Sequence, residues 1–256
     1  MTDVRAKKSL GQHFLNDVSV ARRIAACIEQ DTLIRVLEVG PGMGALTEHL
    51  LQNTHYQLIA IEIDRESVDY LQVRFPALKV MHADFLSMDL HQLYGTMPFT
   101  VIGNFPYNIS SQIFLKILEY RDQIPMVAGM LQKEVAERIA ARPGNRTYGI
   151  TSVLLQAFYD IEYLFTVDRT AFTPPPKVQS AVIRLRRNTV QQLSCDERLF
   201  VRVVKTAFGQ RRKTLRNSLK SLVGDVPLPE HFVRQRPEQL SVAQFIELTN
   251  LLAAAG

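Results

Sequence analysis

Asn104-Phe105-Pro106-Tyr107 is the stretch whose residue types point most directly to a reaction. The N6 amine of an adenine is a poor nucleophile, because its lone pair is delocalised into the ring. Two acceptors held against its N–H bonds pull the nitrogen toward tetrahedral geometry and localise that pair. The side-chain oxygen of Asn104 can supply one. The backbone carbonyl of Phe105 can supply the other, because Pro106 biases the residue before it to an extended conformation. Tyr107 offers a flat face for an unstacked base. A sulfonium methyl donor is already activated, so no general base is required before attack; the work is orientation and electrostatics. Taken as an isolated tetrapeptide, the same residues also read as a loop with a turn asparagine and a core aromatic.

A second group of residues would hold such a donor. Residues 36–44, Val-Leu-Glu-Val-Gly-Pro-Gly-Met-Gly, read as a strand running into a glycine-rich turn with a helix behind it. Gly40 and Gly42 let the backbone approach a ligand closely, and the helix start presents free N–H groups. Glu62 ends the next strand, where a carboxylate can accept both hydroxyls of a ribose. Gly40, Gly42 and Ala45 also satisfy a dinucleotide pattern, with Glu62 at the spacing NAD binding expects, so these residues alone leave the nucleoside open. Asp84 follows the third strand. Its carboxylate can accept an exocyclic adenine amine while Phe85 lies against the ring, or it can serve as an ordinary turn residue.

The elements that must position these groups alternate. Apolar runs at 35–39, 57–61, 78–82, 99–102 and 126–131 read as strands, and 45–52, 66–74 and 111–119 as helices. That alternation predicts an α/β fold with a parallel sheet covered on both faces. Residues 1–15 form a basic arm, followed by an amphipathic helix with Val18, Ala21, Ile24, Ala25 and Ile28 on one face. Residues 148–159 read as a helix, and 163–167 and 178–185 as strands joined by the proline-rich loop at Thr173-Pro174-Pro175-Pro176. A composition break near Arg187 places a domain boundary there: 1–187 for the donor-binding catalytic domain, 188–256 for a small all-helical domain. Ser194 with Glu197 and Ser241 with Gln244 have capping-box spacing, and Gly209 is placed to end the first helix of the second domain.

That second domain carries a run of cations. Arg198, Arg202, Lys205, Arg211, Arg212, Lys213, Arg216 and Lys220 are uninterrupted by acids. Arg198, Arg202 and Lys205 share one helix face and Arg212 with Arg216 another, with Leu215, Leu219 and Leu222 beneath the second helix. Such a run is often a solvated face; without interspersed acids it suits contact with RNA phosphates. The chain has 256 residues, 46% of them hydrophobic, and a net charge of +5. Cys27 and Cys195 stand far apart with no Cys/His pattern near them, so neither a disulfide framework nor a metal site is expected. No apolar leader and no membrane-length run is visible, and a soluble cytoplasmic protein is expected.

With these motifs in place, the chain resembles the small-subunit ribosomal RNA adenine N6,N6-dimethyltransferases over nearly its whole length. The resemblance is carried by Gly11-Gln12-His13-Phe14-Leu15, Glu38-Val39-Gly40-Pro41-Gly42, Glu62-Ile63-Asp64, Ala83-Asp84 and Asn104-Phe105-Pro106-Tyr107, then by residues 172–178 and 210–219. It implies a Rossmann-like seven-stranded methyltransferase fold with a small helical C-terminal domain. It implies S-adenosyl-L-methionine as donor, contacted by His13, Leu15, Gly40, Glu62, Asp84 and Asn104. It implies dimethylation of two adjacent adenosines in a hairpin near the 3′ end of 16S rRNA, in an assembling small subunit. The protein is expected to be a monomer, without DNA or membrane partners. Position 13 is commonly Asn and position 105 commonly Leu in that family, where this chain has His13 and Phe105. Related amino-methyltransferases place an aromatic from the proline-rich region against the target base, a role Phe172 would fill unless it is a core anchor of the loop. A dimethylase of large-subunit RNA, a DNA adenine methyltransferase, a non-catalytic RNA-binding protein and an NAD-dependent dehydrogenase are the competing readings. The segment at 211–219 favours the small-subunit branch over the first, and the intact acceptor motifs disfavour the last two.

Overall fold

A computed structural model describes residues 4–7, 10–28, 30, 32–223 and 228–254. Lys8, Ser9 and the first three residues of the expected arm lie outside the described residues. The short apolar runs form β2 (Ile34–Val39), β3 (Tyr56–Glu62), β4 (Lys79–His82), β5 (Thr100–Asn104) and β6 (Met126–Gln132), after a two-residue strand β1 (Phe14–Leu15). Three further strands follow: β7 (Tyr159–Val167), β8 (Phe172–Thr173) and β9 (Ser180–Arg187). Seven of these make one sheet in the order β4-β3-β2-β5-β6-β9-β7. The pairs from β4 to β6 are parallel and β9 runs antiparallel to β6. Val36, Leu37, Ile61, Val101, Ile102, Val127 and Ala128 are buried, the condition of strands covered on both faces. Strand order reverses between β2 and β5, so a crevice opens at their C-terminal ends, where this class of sheet binds its ligands.

The crossovers are α2 (Thr47–Leu50), α3 (Arg65–Arg74), α4 (His91–Tyr94) and α5 (Ser110–Glu119), preceded by α1 (Val18–Ala25). α1 buries Ala21, Ile24 and Ala25 as the periodicity requires, but Val18, in its first turn, is 59% exposed. The helix expected over 45–52 contracts to α2. Gly40, Gly42 and Gly44 take φ of 70°, 56° and 81°, and Gly44 N–H bonds back to the Pro41 carbonyl at 2.8 Å, so the chain is still turning before Thr47. α6 (Lys133–Ala140), directly after β6, was not anticipated. The helix expected over 148–159 is α7 (Ile150–Gln156), and Tyr159 already opens β7.

The chain divides into two compact units. One runs to Ala136 and resumes over Ile161–Arg187; the other joins Glu137–Asp160 to the residues from Asn188 onward. Residues 137–160, expected in the first domain, therefore group with the C-terminal helices. That unit contains α7, α8 (Glu197–Gly209), α9 (Leu215–Ser218), α10 (Lys220–Val223), α11 (Glu230–Val233) and α12 (Val242–Ala254). Phe200, Val203, Val204 and Ala207 form the buried stripe of α8, and Tyr148, Phe208 and Phe245 pack ring against ring. α8 ends at Gly209, but its N-cap is Asp196, which accepts from Leu199 N at 2.6 Å, and not Ser194. Glu197 instead accepts from Leu193 N at 3.2 Å. The Ser241–Gln244 box is formed, with bonds of 2.9 and 3.2 Å. No helix among the described residues is long and apolar enough to cross a membrane.

Candidate active site

The crevice holds an open cleft of about 960 Å³, a volume that takes in the solvent at its mouth. Its wall is made by the strand ends. Gly40, Gly42 and Glu38 come from β2 and its turn, Glu62 from β3, Asp84 and Phe85 from the turn after β4, and Asn104 to Tyr107 from the end of β5. His13 and Leu15 line it from the arm. Each donor-contact residue expected from the sequence is thus on one surface, as are Asn104, Phe105, Pro106 and Tyr107.

Glu62 is buried and its two oxygens accept Gly42 N–H at 3.0 Å and Asp64 N–H at 2.9 Å. Burial pushes its carboxyl above the usual range, and those two backbone bonds oppose the shift. The carboxylate therefore fastens the glycine turn to the adjacent strand while retaining lone pairs for further donors. Asp84 is a turn residue as well as a cleft residue: its Oδ1 accepts Leu86 N–H at 2.9 Å.

Asn104 Nδ2 donates to the His13 carbonyl at 3.1 Å. A carbonyl can only accept, so this bond fixes which end of the amide is which and leaves Oδ1 as the end available to another donor. His13 is tied by Nδ1 to the Pro174 carbonyl at 2.8 Å, and its ring lies 5.4 Å from that of Tyr107. The Tyr107 hydroxyl bonds the buried Ser180 hydroxyl. Burial raises the Tyr107 phenol above its ordinary value, and the Ser180 bond opposes this.

Phe105 is fully buried. Its ring meets Phe114 edge-on at 5.6 Å and rests on two glycines that pair across β5 and β6; a Cβ on Gly129 would stand 2.1 Å from it. Its side chain is core, and any part in chemistry falls to its backbone. Phe172 departs from expectation. It is 2% exposed in the cluster with Leu15, Ile24, Ile28 and Val167, and does not line the cleft. β1 pairs with β8, Leu15 opposite Phe172, and the Phe172 ring sits in the core, where it anchors the loop.

The same pairing explains how the arm covers the cleft. Asn16 N–H bonds the Ala171 carbonyl at 2.8 Å, and further along Lys7 Nζ reaches Asp64 at 2.5 Å with Gln12 Nε2 3.4 Å from the other Asp64 oxygen. Burial raises Asp64, but the bonds from Lys7, Gln12 and Ser67 outweigh it and hold the carboxyl below the usual range. Sequence reading missed this strap, because Asp64 looks like any helix-start aspartate. It also gave Glu38 no role. That residue lines the cleft, is 1% exposed, and is pushed up to about 8 by burial against the opposing bond from Thr47, with Glu62 adding to the rise. The signal was the charge itself, set between Leu37 and Val39 in the buried half of β2.

In the other unit, Arg198, Arg202 and Lys205 stand exposed on α8 opposite its buried stripe. Lys213, Arg216 and Lys220 are exposed too. Leu215 and Leu219 are buried beneath them, with Leu222 only partly so. Arg212 is exposed but lies in the turn before α9, so it shares no helix face with Arg216. Arg211 differs from the rest: it is half-buried, bonds the Arg146 carbonyl and lies 4.0 Å from Glu238.

Comparison with known proteins gives the chain a family. A family model described as "Ribosomal RNA adenine dimethylase" matches residues 4–253. A "Ribosomal RNA small subunit methyltransferase A" of Parabacteroides distasonis is 58% identical over 252 residues, 96% of this chain and 93% of that protein. Among solved structures, a dimethyladenosine transferase from Plasmodium falciparum superposes with a TM-score of 0.77 at 24% identity, covering 92% of this chain and 96% of the other. The 23S rRNA methyltransferase ErmE superposes at 0.69 with 29% identity, over 93% of this chain and 99% of that one. By a family model that spans residues 4–253 and by sequence similarity over nearly its full length, this chain belongs to the ribosomal RNA adenine dimethylase family.

Proposed function

We propose that this enzyme uses S-adenosyl-L-methionine to dimethylate N6 of two adjacent adenosines in a hairpin near the 3′ end of small-subunit (16S) rRNA, acting in the cytoplasm as a monomer during subunit assembly. The observation that carries the reading is the meeting, in one cleft, of a ribose-type acceptor (Glu62), an adenine-type acceptor (Asp84) and the Asn104–Tyr107 loop. The donor fits the residues present. Gly40 has positive φ beside Pro106, Glu62 keeps acceptor capacity, and Asp84 and Phe85 line the same cleft. When bound, the donor supplies an electrophilic methyl group.

The protein's own task is to present the amine. Asn104 Oδ1, oriented by the bond of its amide nitrogen to His13, and the Phe105 carbonyl are the acceptors that localise the N6 lone pair. Tyr107, held by Ser180 and backed by His13, is the stacking platform. The exposed cations of the helical unit engage phosphates, which suits recognition of RNA by backbone and shape. The relative from Parabacteroides distasonis, named for the small subunit, supports that substrate over large-subunit RNA. The test is transfer of labelled methyl groups to unmethylated small subunits, with large subunits and DNA alongside. Label entering large subunits or DNA in preference would overturn the substrate assignment.

A further inference from the structure

Lys116 is a buried cationic side chain that the reaction as derived does not use. It lies mid-helix in α5 among the buried Ile113, Phe114 and Ile117, and is itself 7% exposed. An amine in such surroundings is costly unless its donors are met. Its Nζ donates to the carbonyls of Leu86, at 3.0 Å, and Met88, at 2.5 Å. It also lies 5.8 Å from the ring centroid of Phe85 and 5.4 Å from that of Tyr120.

Both carbonyls belong to the turn opened by Asp84. Within that turn the Asp84 carbonyl accepts Ser87 N–H at 3.2 Å and Met88 N–H at 3.1 Å. One helical turn beyond Lys116, the Tyr120 hydroxyl donates to Asp89 at 3.1 Å. α5 begins at Ser110, directly behind the Asn104–Tyr107 loop. One helix thus follows the target loop and grips the Asp84 turn from its middle.

We propose that Lys116 is a positioning residue for the donor's adenine: it clamps the Asp84–Phe85 turn to α5 and so fixes the adenine-recognising groups relative to the Asn104–Tyr107 loop. The inference rests on reading the cleft as the donor site. An apolar side chain of similar length fills the same volume but leaves the Leu86 and Met88 carbonyls without their donor, and the turn is then free to shift.

The experiment uses the full chain as wild type, Lys116→Met and Lys116→Arg, and calorimetry with S-adenosylhomocysteine and its inosine counterpart, in which the exocyclic amine is a carbonyl. Wild type is expected to favour the adenosine compound. Lys116→Met should bind it about tenfold more weakly, the size of one misplaced hydrogen bond, with the preference over the inosine compound largely lost. Turnover at saturating donor should change little. Lys116→Arg, which keeps donors at that position, should restore part of the preference. Equal weakening toward both compounds, or an unchanged preference in a cooperatively folded Lys116→Met, overturns the proposal. If Lys116→Met does not fold, Lys116→Gln, whose side chain ends one atom short of Nζ, takes its place, and an unchanged preference in that folded variant overturns the proposal equally. A wild type that binds neither compound overturns the donor reading, and this inference with it.

Discussion

At the scale of single residues, the polar groups that line the cleft are each held by a hydrogen-bonding neighbour. Asn104 is oriented by the His13 carbonyl, Tyr107 by Ser180, and Glu62 by two backbone amides. Asn104→Ala should therefore abolish most turnover at saturating donor while RNA binding persists; a folded variant retaining near-normal turnover would refute its role as acceptor. Tyr107→Phe keeps the stacking ring but leaves the buried Ser180 hydroxyl without its partner. An unmet buried hydroxyl costs roughly 1–3 kcal/mol, so this variant should lose stability while keeping most of its turnover, and denaturant titration beside a methyl-transfer assay separates the two. Glu38 gives a pH signature. Its carboxyl is raised from an ordinary 4.5 to about 8. Across that window the unfolded chain has lost the proton and the folded chain keeps it, so the group makes stability fall as pH rises, by up to about 1.4 kcal/mol per pH unit. Glu38→Gln does not titrate and retains an acceptor for Thr47. Its stability relative to wild type should rise from pH 5 to pH 8, and parallel stability curves would show that Glu38 ionises normally in the fold. That Asn104, Tyr107 and Glu62 gather in one cleft was legible in the sequence, because each stands at or just after the end of a strand in an alternating α/β pattern. Their holders were not, because a serine in an edge of strand, a histidine side chain bonded to a distant carbonyl and a buried glutamate depend on contacts far along the chain.

At the scale of elements, the sheet was legible and its fittings were not. Strands β5 and β6 and the C-terminal halves of β2 and β3 are buried and mostly apolar, so their positions are readable as short apolar runs. α2 was overestimated because the apolar spacing over 45–52 continues past a turn that three positive-φ glycines impose. β1 and β8 are two residues each and exist only because they pair with one another, which no local pattern announces. Phe172, in that pair, lies in the core instead of the cleft. The Phe105 ring shows a further long-range fit: it occupies the space that side chains at Gly103 and Gly129 would fill. Gly129→Ala should destabilise by about 1–3 kcal/mol through overpacking, since its Cβ would stand 2.1 Å from the ring. Phe105→Leu, the residue common in the family at this position, should relieve much of that clash. A double-mutant cycle on unfolding free energies should show the two changes coupled, and strict additivity would mean the ring does not rest on that glycine.

At the scale of the whole molecule, the cleft and the exposed cations fall on different compact units, which makes their proposed roles separable by experiment. The cleft is built wholly from the first unit, and the exposed cations of α8 to α10 wholly from the second. A cation that touches phosphate leaves a specific mark: its loss lowers affinity and also reduces the slope of log affinity against log salt, by about 0.7–0.9 per contact removed. Arg202→Glu and Lys205→Glu together should show both effects and leave donor affinity unchanged, because neither residue lines the cleft. Arg211→Ala should behave differently from these. Its guanidinium is engaged by the Arg146 carbonyl and Glu238, so its removal should lower the thermal stability of the helical unit more than it alters the salt slope. Sequence alone put all eight cations in one class, since a run of like charges carries no record of which members have partners. The pattern across the variants decides the matter. If Arg202 and Lys205 leave the salt slope untouched while Arg211→Ala flattens it, phosphate is read through the buttressed arginine, and the exposed face of α8 is only a solvated surface.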